Sequence, residues 1–159
     1  MLSDSEFTEL VQTYGDMVFR VALGYMRNQA DAEDVAQSVF LSLYHTDKEF
    51  ESSFHIKHWL VRATYNECTS LYRALRRSPE NIDDYIESLA QPQQEEAGLL
   101  GEILKLPKKY AAVLYLYYYE GYSTEELAGL LKVPAATVRT RLSRGRKKLS
   151  DILEKGDRL

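Results

Sequence analysis

Hydrophobic residues recur at helical spacing nearly throughout this chain, and no stretch alternates as a strand would. Ser3 with Glu6 makes a capping box, after which Phe7, Leu10, Val11, Tyr14, Val18, Val21, Ala22 and Tyr25 share one helical stripe. A second helix is predicted from near Asp31, whose carboxylate can cap it, with Glu33 and Asp34 favouring its positive end. Ala32, Val35, Ala36, Val39, Phe40 and Leu43 supply its buried face. Thr46 to Phe54 is polar and irregular, with Phe50 and Phe54 as anchors. A third helix is predicted from about Ile56 to Arg77, turning Trp59, Leu60 and Ala63 inward. Three such helices make one small core.

From Ser78 the period is lost. Pro79, Pro92 and several glutamines interrupt the chain, and Ser78 to Ala97 carries Glu80, Asp83, Asp84, Glu87, Glu95 and Glu96 with no Lys or Arg. This reads as an acidic linker, with one helical turn expected at Tyr85–Leu89. Periodicity returns at Leu99, Ile103 and Leu104, and Pro107 suits the first turn of a helix predicted over Lys108 to Tyr119. The organisation expected is all-α: a helical domain over 1–77, an acidic linker over 78–96 and a second helical domain over 97–159.

The second domain holds the most informative stretch, Tyr122 to Leu149. Ser123 and Glu126 form a capping box, and Leu127, Leu130 and Leu131 line one face of a short helix. Val133-Pro134 breaks it, because proline has no N–H to donate and disfavours the helical region in the residue before it. A helix restarts near Ala135 with Val138, Leu142, Gly145 and Leu149 inside. Its outer side carries Arg139, Arg141, Arg144, Arg146, Lys147 and Lys148, with no acid from 139 to 150. A helix-turn-helix with a basic second helix has the size and charge that suit a DNA major groove. The tyrosines at 115, 117, 118, 119 and 122 invite a base-stacking reading, but at helical spacing beside Leu114 and Leu116 they read better as core and rim.

Composition narrows the picture. At 159 residues the chain holds one compact domain or two small ones, and 45% hydrophobic with 28% charged residues describes an ordinary globular protein. A net charge of −4 means that any DNA affinity comes from local patches. Cys68, the single cysteine, excludes an internal disulfide and a multi-cysteine zinc site. His45, His55 and His58 cluster along the chain, but no thiol or carboxylate completes a metal set beside them. No nucleophile–base pair, phosphate loop, metal or cofactor motif is present, so a non-enzyme without cofactors is expected. The absence of a signal pattern and of a long uncharged apolar run points to a cytoplasmic protein without membrane insertion.

A helix-turn-helix alone does not separate a repressor, a response-regulator output domain, a transposase arm and a sigma factor. The order of motifs does: Asp31 to Phe40 (DAEDVAQSVF), Trp59-Leu60, Asn66 and a basic end at Arg73, Arg76 and Arg77, then after the linker Leu106-Pro107, Tyr118 to Gly121 (YYEG) and the Thr137-Val138-Arg139 helix. This series resembles the extracytoplasmic-function group of bacterial sigma factors over nearly the whole chain. The linker matches only in length and character. The chain departs from many relatives at Ser70, Ala63, Tyr65 and the Ala111-Ala112 pair.

The resemblance implies a factor that binds core RNA polymerase and reads promoter DNA at two elements, with an anti-sigma factor as a further partner. The first domain would dock on the polymerase clamp through Asp34, Gln37, Phe40 and Leu41. It would hold the melted downstream (minus-ten) element through Phe50, Ser53, Phe54, Lys57, Arg62, Asn66, Arg73, Arg76 and Arg77. Arg76 and Arg77 also suit a helix C-terminus for purely structural reasons. In the second domain Arg139, Thr140, Ser143 and Arg144 lie opposite Val138 and Leu142 and are the candidates for base edges of the upstream (minus-thirty-five) element. Arg141, Arg146, Lys147 and Lys148 lie to the sides and read as phosphate contacts. The alternative is a polymerase-independent helix-turn-helix regulator, which would bind a duplex operator alone, as a dimer.

Overall fold

The computed structural model describes residues 2–77 and 98–157, with backbone only for Arg76, Arg77 and Asp157; the linker and its expected turn at Tyr85–Leu89 lie outside the described residues. Among the described residues there are seven helices and no strand: α1 Asp4–Met26, α2 Gln29–His45, α3 Ser53–Arg77, α4 Gly98–Lys105, α5 Lys108–Tyr118, α6 Thr124–Leu131 and α7 Ala135–Asp157. The chain divides into two compact units, Met1–Gln93 and Gln94–Leu159.

In the first unit α1, α2 and α3 each pack on the other two. The capping box at Ser3 forms as expected: Glu6 N–H donates to the Ser3 hydroxyl at 3.1 Å and Ser3 N–H to the Glu6 carboxylate at 2.8 Å. The buried stripe of α1 is Met17, Val18, Val21, Ala22, Leu23 and Met26. Phe7, Leu10, Val11 and Tyr14 are only half-buried, because the α1 N-terminal half packs through ring edges, such as Phe7 on Tyr44 at 5.1 Å. Ala32, Val35, Val39, Phe40 and Leu43 from α2 meet Leu60, Val61 and Cys68 from α3. Thr64, buried among them, donates its hydroxyl to Leu60 O at 2.6 Å, so its burial leaves no unmet donor.

Two helix starts differ from the sequence reading. The cap of α2 is Asn28, whose side-chain oxygen accepts from Asp31 N–H at 2.8 Å while its amide donates to the Asp31 carboxylate at 2.7 Å. Asp31 is therefore the reciprocal partner in the first turn, and the helix begins at Gln29. α3 begins at Ser53, one turn before the expected Ile56, because Ser52 accepts from His55 N–H at 3.1 Å and His55 Nδ1 in turn accepts from Glu51 N–H at 3.1 Å. The imidazole thus acts much as Glu or Gln does in a capping box, but on the N–H of the residue before the cap, and Ser53 and Phe54 move from loop to helix.

In the second unit α5 is the central element, packing on α4, α6 and α7, while α6 packs on α7. Its core is built from Ile103, Leu104, Leu106, Tyr110, Ala111, Val113, Leu114, Tyr115, Leu116, Tyr122, Leu127, Leu130, Leu131, Val138 and Leu142. Tyr115 is fully buried and its hydroxyl donates to Glu120 at 3.0 Å, which ties the α5–α6 connection back to the core. Gly121 in that connection has φ 77°, a left-handed conformation that glycine adopts without a steric cost.

Candidate nucleic-acid interface

The helix-turn-helix is α6, a three-residue turn and α7. Ser123 caps α6 through the predicted box, accepting from Glu126 N–H at 3.0 Å while Glu126 accepts from Ser123 N–H at 3.0 Å. Lys132 ends α6 in the left-handed region at φ 56°, its N–H bonded to Ala128 O. Pro134 O then accepts from Thr137 and Val138 N–H at 2.9 and 3.2 Å, which starts α7. The turn therefore bends the chain through backbone bonds alone, and α7 is held by Val138 and Leu142, both buried.

With that row inward, Arg139, Thr140, Ser143, Arg144 and Lys147 are exposed, as are Arg146 and Lys148, while Arg141 is half-buried. The Thr140 hydroxyl donates to Ala136 O at 3.0 Å. The exposed Glu125 carboxylate is held below the usual range by its own main-chain N–H, then by the Thr124 hydroxyl, with Arg139 adding a smaller attraction.

The two flanks of α7 carry contacts that the sequence did not reveal. Arg146 Nε donates to the Tyr118 hydroxyl, and its guanidinium lies 5.7 and 5.5 Å from the Tyr117 and Tyr118 ring centroids. On the other flank Lys148 Nζ lies 5.9 Å from the Tyr110 ring, which Lys109 also approaches at 5.1 Å. The tyrosine run divides into core and rim: Tyr115 and Tyr122 are buried, as is Tyr110 before the run, Tyr117 is half-buried, and Tyr118 and Tyr119 are 52% and 44% exposed. A cation over an aromatic ring is worth about 0.5–1 kcal/mol at an exposed site. Sequence spacing marks the tyrosines as core and rim, but not which cation they would hold.

In the first unit the residues expected at the downstream element gather at the start and along one side of α3. Phe54 is 53% exposed and its ring leans on His58 at 6.1 Å; Ser53, Asn66 and Arg73 are exposed, Lys57 and Arg62 half-buried. Phe50, half-buried, is edge-on to His55 and to Trp59 at 5.2 and 5.8 Å, so it and Trp59 brace the loop against α3. The side chains of Arg76 and Arg77 lie outside the described residues. Of the α2 group, Asp34, Gln37 and Leu41 are exposed and Phe40 is buried, its ring lining a groove with Phe7, Val11, Gly15, Ala36 and Leu41. The unusual Tyr65 packs edge-on against Tyr25 at 5.5 Å, and Ala111 is wholly buried on the inner face of α5; Ser70 is exposed.

A second groove, of about 540 Å³, runs between α4, α5 and α7 and is walled by Leu99, Ile103, Tyr118, Tyr119, Leu149 and Leu153. Leu153 is 43% exposed and lies outside the helix-turn-helix pattern of Tyr122 to Leu149. Its helical spacing from Leu149 was the available signal.

A three-helix unit followed by a helix-turn-helix whose second helix exposes a row of cations is the build of a DNA-binding transcription protein. Two family models match the chain: sigma-70 region 2 over residues 10–78 and sigma-70 region 4 over residues 98–149. The RNA polymerase sigma-E factor of Streptomyces avermitilis is 32% identical over 161 residues, 96% of this chain and 87% of that protein. The ECF RNA polymerase sigma factor SigW of Bacillus subtilis is 28% identical, over 90% of this chain and 86% of its own length. SigE of Mycolicibacterium smegmatis is 32% identical over 92% of this chain, which spans 61% of that relative. Among solved structures, RpoE in complex with the anti-sigma factor NepR from Bartonella quintana has the same fold, with a TM-score of 0.68, 21% identity and coverage of 93% and 96% of the two chains. CnrH in complex with the cytosolic domain of CnrY is similar in fold at a TM-score of 0.62 and 24% identity, covering 96% and 90%. The chain belongs to the extracytoplasmic-function group of sigma-70 RNA polymerase sigma factors.

Proposed function

We propose that this sigma factor directs core RNA polymerase to promoters by engaging DNA at two elements, and carries no catalysis of its own. The observation that supports this best is the outward row on α7. Arg139, Thr140, Ser143 and Arg144 face solvent while Val138 and Leu142 anchor the opposite side. Those four are the residues proposed to read base edges of the upstream element, with Arg141, Lys147 and Lys148 as phosphate contacts.

Residues 1–77 are proposed to dock on core polymerase through Asp34, Gln37 and Leu41, together with the largely buried Phe40, which lines the same groove as Gln37 and Leu41. Phe54, Ser53, Lys57, Arg62, Asn66 and Arg73, with Phe50 bracing and Arg76 and Arg77 at the helix end, would hold the opened downstream element. Bases unstacked from a melted duplex need an aromatic or apolar partner and cations for the phosphates, and the start of α3 offers an exposed Phe54 with Lys57 one turn away. Work with polymerase would put the protein in the cytoplasm. An anti-sigma partner is proposed too, because the similar sigma factor RpoE is in complex with the anti-sigma factor NepR.

The test is transcription in vitro with core polymerase on a promoter library. Start sites that appear only when this protein is added support the reading. Tight binding of the free chain to a palindromic duplex, with no new start sites, would favour the polymerase-independent regulator instead.

A further inference from the structure

At Gly145 α7 lies close against Leu114 and Tyr110 of α5, and it brings no side chain to the contact. Val138 and Leu142 anchor α7 nearer its start, but at the glycine itself no side chain of α7 adds a knob against roll. The flanking residue Arg146 supplies what Gly145 lacks. Its guanidinium lies over Tyr117 and Tyr118, and its Nε is committed to the Tyr118 hydroxyl. The two rings are themselves edge-on at 5.0 Å, so the cation sits against a preformed aromatic corner. Arg146 belongs to the edge of the recognition helix, not to its outward face, and turning it toward DNA would break all three interactions.

We propose that Arg146 is a positioning residue: clasped by Tyr117 and Tyr118 of α5, it fixes the roll at which α7 presents Arg139, Thr140, Ser143 and Arg144, and it does not neutralise a DNA phosphate. This rests on the promoter-reading role proposed for α7 and separates Arg146 from the residues with which its charge would group it. A clasp of one exposed cation on aromatic rings corresponds to about a 2- to 5-fold bias in an equilibrium. Tyr118 is the informative partner, since it carries no charge and cannot itself neutralise a phosphate.

Two measurements decide it, both on the full chain. The first is a double-mutant cycle for Tyr118→Ala and Arg146→Ala in urea unfolding. A coupling of about threefold in the unfolding constant is expected, and strictly additive losses overturn the clasp. The second is promoter affinity of the reconstituted holoenzyme across salt concentration, on a promoter taken from the library selection. Arg146→Ala and Tyr118→Ala should weaken binding by a similar factor, about threefold, with the wild-type salt slope, and Tyr118→Phe should retain most of the affinity. Lys147→Ala should lower the slope by about 0.9, the signature of one lost phosphate contact. A slope for Arg146→Ala that falls as for Lys147→Ala overturns the proposal. If wild-type holoenzyme binds no promoter, the functional reading fails and the unfolding cycle alone decides whether the clasp exists.

Discussion

Gly145 on α7 lies so close to Leu114 on α5 that a Cβ built there would come within 3.0 Å of Leu114 Cδ1 and 3.2 Å of Tyr110 Cβ. Leu114 is wholly buried, so its side chain has little room to yield. Overpacking of this kind costs about 1–3 kcal/mol, whereas Ala gains about 1 kcal/mol over Gly in a helix interior. The first effect wins. Gly145→Ala is expected to lose up to about 2 kcal/mol in urea unfolding and Gly145→Val more, with the upstream-element affinity falling alongside. An alanine variant more stable than wild type would show that α7 can shift outward at no cost.

Ser123 holds the first turn of α6 through both halves of its capping box. Ser123→Ala is expected to destabilise the second unit by about 1 kcal/mol, and Ser123→Asp to restore most of it, since a carboxylate also caps and favours the positive helix end. Thermal unfolding followed by circular dichroism of the full chain checks this. Equal stability of the alanine and aspartate variants would count against the cap.

Arg144 faces outward between the two flanks of α7. If it pairs with a guanine, Arg144→Ala should relax sequence choice at one upstream position, with a discrimination loss of about 1–3 kcal/mol. Lys147→Ala should weaken all promoters evenly. Competition among promoter variants, read by sequencing the bound pool, separates the two outcomes. Identical profiles for both variants would refute the division of the helix into reading and holding faces.

Cys68 is fully buried in α3, and burial first, with Glu67 beside it second, pushes its thiol up from 9.0 to about 12. The folded chain should therefore resist thiol-specific labelling at pH 8 and react fully in denaturant, because only the thiolate is a nucleophile. The linkage has a defined sign. The protonated thiol is favoured in the fold, so its contribution is intact below pH 9 and is lost as pH rises toward about 12. Relative to Cys68→Ala, wild type should lose stability more steeply over that window. Rapid labelling of folded protein at pH 8 would mean that the core of the first unit opens readily.

Helix ends were legible in the sequence where both partners of a cap stand close together and fit a known pattern. Ser3 with Glu6 and Ser123 with Glu126 read correctly from spacing alone. Asn28 and Ser52 were missed for a physical reason. Asn28 competes with the equally good cap at Asp31, and Ser52 is completed by a histidine, which the usual pattern does not include. The inward rows of α2 and α7 were also legible, since a period of 3.6 residues decides which side chains share a face. The interface residues were legible as a set of charges and aromatics, but not in their partners: nothing in the spacing of Arg146 distinguishes it from Lys147.

What the sequence determined by itself is local or cumulative: an all-α chain, two of its caps, the break at Val133-Pro134, the basic row on α7 and membership of a family whose motifs come in order. These depend on residues within about four positions of one another, or on the order of such groups. Tertiary structure alone decided that Arg146 is held by Tyr118, 28 residues away, and that Gly145 rests on Leu114. Each of these depends on the roll and separation of packed helices. That geometry is set by the whole core at once, and no single stretch of chain contains it.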